Sequence, residues 1–211
     1  AVLMALAKAF KQTHPQHAVN VPESIGSSGG IKAVGNDKSQ IGRVARKIKD
    51  KEKPYGLVYL PIAKIPTVFF VNKSVGISNL SVQQVNDIYS GKTTDWNAVG
   101  GTTGKIRVVR REDGDSSLGN LKATLPGFKD VVITTLSKTT TLTNENLSFV
   151  AEQTGAIGFG PYSDAIEEDV EVLMLGGNKP TDKDYPSFGV LALILKEVNR
   201  KGAIAELIDF V

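Results

Sequence analysis

The chain has 211 residues, 41% of them hydrophobic, with a formal net charge of +3 and no cysteine. That length accommodates one large domain or two small lobes, and the missing cysteine excludes disulfides and thiolate chemistry. Lys and Arg are scattered rather than clustered, which argues against a nucleic-acid partner. No apolar run approaches the ~20 residues of a membrane-spanning helix.

The first segment, Ala1 to Thr13, reads as a helix with Leu3, Leu6, Ala7 and Phe10 on one face, stopped by His14-Pro15. Its opening residues carry no charged n-region and no cleavage site, so a signal peptide is expected to be absent from this sequence. Val19 and Val21 alternate like a short strand and run into Ile25-Gly26-Ser27-Ser28-Gly29-Gly30-Ile31. Here two hydroxyls sit among glycines ahead of a helix beginning near Ile31 and ending at Gly35-Asn36-Asp37. Glycines let backbone N–H groups approach a ligand, and a helix start offers free donors at the positive end of its dipole. Ser27, Ser28 and Gly29 are therefore candidate anion ligands, set against the plainer reading of a Ser/Gly turn.

Ile41 to Ala45, Leu57 to Pro61 and Thr67 to Asn72 are read as strands, the last apolar enough for burial on both faces. The charged run Arg43 to Lys53 is read as solvated surface. Ser81 with Gln84 forms a capping box, Val82, Val85, Ile88 and Tyr89 an apolar stripe, and Gly91 a stop. A turn over Thr93 to Trp96 and a strand over Ile106 to Val109 lead into Arg110-Arg111-Glu112-Asp113-Gly114-Asp115-Ser116-Ser117, which repeats the first design with arginines added. A helix is expected near Ser117 to Ala123, a strand at Val131 to Thr134, and a Thr-rich connection from Thr134 to Thr143, read as a solvated loop or as a loop lining a cleft. Asn144 is expected to cap a helix running to Gln153. Ala156 to Gly160, Val170 to Leu175 and Phe188 to Leu195 read as strands, and Arg200 to Val211 as a last helix. The alternation argues an α/β fold with open, mostly parallel sheets, which bind ligands outside the carboxyl ends of their strands.

Taken in order, several stretches resemble the phosphate-type substrate-binding proteins of ABC transporters. They are Gly26 to Lys32, Ile41-Gly42-Arg43, Lys49 to Glu52, Val71-Asn72-Lys73, Leu80 to Lys92, Asp95-Trp96, Val109 to Gly114, Gly155 to Phe159 and Ile208 to Val211. The resemblance covers essentially the whole chain. It implies an α/β, two-lobed type II periplasmic-binding-protein-like fold with open mixed sheets, a hinge and an oxyanion held in the cleft between lobes. Lobe one would be residues 1–66 plus 160–211 and lobe two 67–159. The family's first strand, its small Thr/Gly loop and its continuation past Val211 are expected to be missing.

By the same resemblance Ser27 contacts phosphate, Arg111 grips it bidentately, and Asp113 orients that arginine. Gly114, Ser116 and Ser117 follow as further ligand positions. Two departures stand out. The carboxylate the family places after its third strand falls on Ala45, and Asp115 replaces a hydroxyl. An ionised Asp115 in the site would repel a dianion unless it accepted the ligand's proton; the other reading turns it to solvent. The family implies a periplasmic or extracellular protein that passes phosphate or a similar oxyanion to an ABC permease, acting as a monomer, with no cofactor, no metal and no nucleic acid. The alternative is a sensor or interaction module that keeps the fold and loses the ligand.

No enzyme is expected. Gly26 to Gly30 fits Gly-x-Ser-x-Gly, but hydrolases with that elbow place their histidine after the serine, and His14 and His17 both precede it. The two histidines lack a third metal ligand in sequence and are read as surface groups at a helix end. Glu167-Glu168-Asp169 reads as a solvated turn, and Arg110, one residue from Arg111 on a strand, is expected to face the other way.

Overall fold

The computed structural model describes residues 2–102 and 104–211. In chain order the elements are α1 (Val2–Thr13), α2 (Gly26–Gly35), β1 (Ile41–Val44), β2 (Val58–Val71), β3 (Asn79–Leu80), α3 (Val82–Ser90), β4 (Arg107–Arg111), α4 (Ser116–Thr124), β5 (Lys138–Thr140), α5 (Thr143–Glu152), β6 (Ala156–Pro161), α6 (Tyr162–Ala165), β7 (Glu171–Val172), β8 (Met174–Leu175), β9 (Phe188–Leu195) and α7 (Ala203–Phe210). The chain divides into two compact units, Ala1–Ala63 with Val190–Val211, and Lys64–Gly189. The chain passes between them within β2 and near the start of β9. Residues 160–189, read in sequence as part of lobe one, fall in the second unit.

In the first unit β1 and β9 pair antiparallel, Ile41 opposite Leu195 and Val44 opposite Ala192. Helix α2 covers this pair, burying Ile31 and Val34 with Val44, Ala192 and Ile194. The fit is close: a Cβ on Gly30 would come within 3.0 Å of the Arg43 carbonyl oxygen. Helix α1 buries Phe10, which stacks on His14 at 4.4 Å between centroids and meets Phe210 of α7 edge-on at 5.4 Å. The helix is seen from Val2, since Ala1 lies outside the described residues.

In the second unit β6 is central. It pairs antiparallel with β2, Phe69 opposite Phe159, and parallel with β4, which pairs parallel with β5. The sheets are therefore mixed, with more antiparallel pairing than the strand–helix alternation suggests. Phe69, Tyr89, Phe128 and Phe159 form an aromatic core with centroids 5.4–6.1 Å apart. Each fully buried ring contributes roughly 1.5–3 kcal/mol over exposure. Burial raises the Tyr89 phenol pKa well above its usual value, and the hydroxyl donates to the Val109 carbonyl at 3.2 Å. The capping box forms as read: Ser81 Oγ accepts from the Gln84 amide at 3.1 Å, and Gln84 Oε1 accepts from the Ser81 amide at 2.7 Å.

Several sequence readings are corrected. Val19 to Val21 and Val131 to Thr134 are both irregular chain. The strand lies further on, in the Thr-rich run, where Lys138–Thr140 pairs with β4 and Thr140 is fully buried. The strands read at Leu57 to Pro61 and Thr67 to Asn72 are parts of one continuous strand, Val58–Val71. Helix α5 starts at Thr143, one residue before Asn144, whose Oδ1 accepts the Glu145 amide at 2.9 Å, and Glu145 reaches back to the Thr141 amide at 2.8 Å. That hydrogen bond heads the contributions that hold the Glu145 carboxyl pKa below its ordinary value.

Candidate functional site

The candidate residues fall into two clusters, one on each unit. In the first unit the Ser/Gly run is not a turn ahead of a helix: it is the first turn of α2, which begins at Gly26. Gly26 has φ of +70°, which suits a residue without Cβ and allows the sharp entry. Ser27 is buried, and its Oγ accepts from the Ala45 amide at 3.0 Å. Ser28 Oγ accepts from Arg46 Nη2 at 2.9 Å. Gly29 follows in the same turn.

Behind these serines lies a pair that the sequence reading missed. Arg46 and Glu52, assigned there to solvated surface, are each 7% exposed. Arg46 Nη1 and Nη2 donate to Glu52 Oε2 and Oε1, both at 2.8 Å, and Nη1 also donates to the Lys47 carbonyl. Glu52 further accepts the Lys49 amide at 2.9 Å. Burial alone would raise the Glu52 carboxyl pKa. The hydrogen bonds from Arg46 and Lys49 and their positive charges outweigh it, and the pKa lies below the ordinary value.

In the second unit Arg111 ends β4 and is 4% exposed. Its Nη1 donates to Thr143 Oγ1 at 2.9 Å, and its Nη2 donates to the Thr141 carbonyl at 2.8 Å and pairs with Asp115 Oδ2 at 3.0 Å. The Nε–H is buried and has no acceptor among the described residues. Asp115 is not a solvent-facing residue: its side chain is 9% exposed and also caps α4, Oδ1 accepting the Leu118 amide at 3.0 Å. Asp113, read as the group that orients Arg111, is exposed and pairs with Arg110 instead. Ser116 and Ser117 open α4, Ser117 buried, and Gly114 lies exposed in the preceding turn. Thr141 and Thr143 enter the site unread; the Thr-rich run was their signal.

His14 and His17 do find a shared partner. Their Nε2 atoms lie 4.0 and 3.0 Å from Glu206 Oε2, which ties α1 to α7 within the first unit. Among the described residues no group of three or more His, Cys, Asp or Glu is placed to hold a metal ion. No helix among them is long and apolar enough to cross a membrane.

This is the open-sheet α/β fold of type II periplasmic binding proteins. The chain matches the PBP superfamily domain over residues 1–211 and belongs to that family. It is 26% identical over 186 residues to the phosphate-binding protein PstS of Bacillus subtilis, an alignment covering 87% of this chain and 60% of that one. It is 23% identical to PstS of Borreliella burgdorferi, covering 78% of this chain and 62% of the relative. The chain thus spans about three-fifths of the length of these relatives. Among solved structures, a protein of Clostridium perfringens assigned as a phosphate ABC transporter substrate-binding protein, with phosphate bound, matches at TM-score 0.88 and 31% identity. That match covers 99% of this chain and 87% of the other. An ABC-type phosphate transport receptor from Vibrio cholerae shares the fold at TM-score 0.67 and 24% identity, over 99% and 88% of the two chains.

Proposed function

We propose that this chain binds a small tetrahedral oxyanion, phosphate first among them, as an extracytoplasmic substrate-binding protein that delivers it to an ABC permease. The residues proposed to meet the ligand are Ser27, Ser28 and Gly29 in the first unit and Arg111, Gly114, Ser116 and Ser117 in the second, with Asp115 as the carboxylate that the anion must displace from Arg111. The observation that carries the proposal is Arg111. Arg46 and Arg111 are both buried and each leaves its Nε–H without an acceptor among the described residues, but Arg46 gives both terminal nitrogens to Glu52, whereas Asp115 takes only one of Arg111's, which suits Arg111 to receive an anionic oxygen. The phosphate-binding relatives support the choice of ligand.

Binding rather than catalysis suits the serines. A nucleophilic serine hands its proton to a base. Ser27 and Ser28 instead accept from N–H donors, which leaves each hydroxyl proton to give to a ligand. Capture and hand-over need no catalytic group and no cofactor, and the monomer is the acting species, with no nucleic acid involved.

Isothermal titration with phosphate tests this. Arg111→Ala should weaken binding at least about 100-fold, the loss of two charge-assisted hydrogen bonds. Ser27→Ala should lose roughly 1.5–3 kcal/mol, one hydrogen bond to a charged group. Equal affinities for wild type and Arg111→Ala would end the assignment.

A further inference from the structure

We infer that Arg46 is a positioning residue of the oxyanion site and acts through Ser28. The inference rests on the oxyanion reading and adds to it a residue that lies outside the ligand set. A serine in the first turn of a helix has several rotamers and can turn its hydroxyl to nearby backbone groups. Here Arg46 Nη2 holds Ser28 Oγ at 2.9 Å. Because the oxygen accepts, the hydroxyl proton remains available for an anionic oxygen.

Arg46 can do this because it cannot move. Glu52 holds both terminal nitrogens at 2.8 Å, and Glu52 is fixed by the Lys49 amide at 2.9 Å in the 3-10 turn Asp50–Tyr55. A line of support thus runs from that turn through Glu52 and Arg46 to Ser28. The carboxylate also takes both terminal nitrogens of the arginine, so that only the buried Nε–H of Arg46 is left without an acceptor among the described residues. A buried ion pair returns little stability over apolar residues of similar volume. What this pair supplies is geometry, and the atom it reaches beyond its own salt bridge and the neighbouring Lys47 carbonyl is Ser28 Oγ.

The test is a double-mutant cycle read by phosphate titration, with thermal melts on each protein. Arg46→Met with Glu52→Leu removes both charges together and leaves no buried ion unpaired. That variant should melt cooperatively and bind phosphate five- to tenfold more weakly, matching Ser28→Ala. Added to Ser28→Ala, the same pair of changes should weaken binding no further. If the double variant binds like wild type, or if its loss multiplies with that of Ser28→Ala, the inference is wrong. In the second case Arg46 would be acting on the anion or the fold independently of Ser28. Should the double variant lack a cooperative melt, Arg46→Lys takes its place. It keeps a positive charge opposite Glu52 but forfeits the fork, and the same loss, absent in the Ser28→Ala background, is expected. Wild type that binds no phosphate overturns the oxyanion reading and this inference together; wild type that binds, with multiplying losses, overturns this inference alone.

Discussion

Each unit carries one buried arginine beside the start of a helix, and the two are set up differently. Arg46 faces a carboxylate that takes both terminal nitrogens in the two-pronged geometry that best satisfies a guanidinium. Arg111 faces Asp115 through one nitrogen, and its other contacts are a threonine hydroxyl and a carbonyl. Asp115 is itself shared, since its second oxygen caps α4. The first arginine is neutralised and belongs to the scaffold. Both leave a buried Nε–H without an acceptor among the described residues, and the second also gives its other terminal nitrogen to a neutral hydroxyl, which is why the proposed ligand oxygen is assigned to it. Burial and a nearby acid do not distinguish the roles; the way the acid is spent does.

The largest expected effect tests the scaffold side of that contrast. Arg46→Met alone leaves the Glu52 carboxylate buried without its partner and should cost roughly 3–5 kcal/mol of stability. Urea denaturation measures it, and a loss under about 1 kcal/mol would mean that water reaches Glu52 and that the pair is not the fixed support described above.

A smaller effect lies in the pH dependence. The Glu52 carboxyl pKa lies below its ordinary value of 4.5 in the fold. The stability it contributes is therefore complete above the unfolded value and fades as pH falls through the lower, folded one. Denaturation midpoints between pH 7 and pH 3 should fall more steeply for wild type than for the variant carrying both Arg46→Met and Glu52→Leu. Parallel acid limbs would assign the acid sensitivity to other carboxylates.

How far the sequence discloses this contrast depends on the kind of interaction. Local patterns were readable. The Ser81–Gln84 box and the apolar run Phe188–Leu195 have the bounds their residues suggest, because caps and continuous apolar strands follow from neighbours a few residues apart. The Ser/Gly run is legible from its glycines and hydroxyls, but its place in the first turn of α2, rather than ahead of it, is not. With five glycines and serines in a row, propensity gives no boundary, and contact with β1 decides where the helix starts. Arg46 and Glu52 were misread because a mixed charge run is usually solvated, and only tertiary packing around a 3-10 turn buries these two. Asp113 and Asp115 are equally plausible partners for Arg111 by spacing alone. The helix start favours Asp115, since a carboxylate that caps α4 is held beside the end of β4, while Asp113 remains in the exposed turn.

The smallest change probes the ligand side. Asp115→Asn keeps an oxygen to cap α4, and Asn caps as well as Asp. It removes the charge opposite Arg111 and should cost about 1 kcal/mol in the unliganded protein, less than full loss of a hydrogen bond to a charged group. Phosphate should then bind more tightly, because it no longer competes with a carboxylate for the guanidinium. Ligand bound only to the folded state raises the melting temperature by mass action, so the shift on adding phosphate should be larger in Asp115→Asn than in wild type. Glu52→Gln supplies the opposing arm. It too leaves a buried arginine short of its counter-charge, but that arginine supports Ser28 rather than the anion, so the phosphate-induced shift should shrink. The two acids should therefore move the shift in opposite directions. If both variants enlarge it, Arg46 as well as Arg111 receives the anion; if neither changes it, Asp115 does not compete with the ligand and Arg111 is as much scaffold as Arg46.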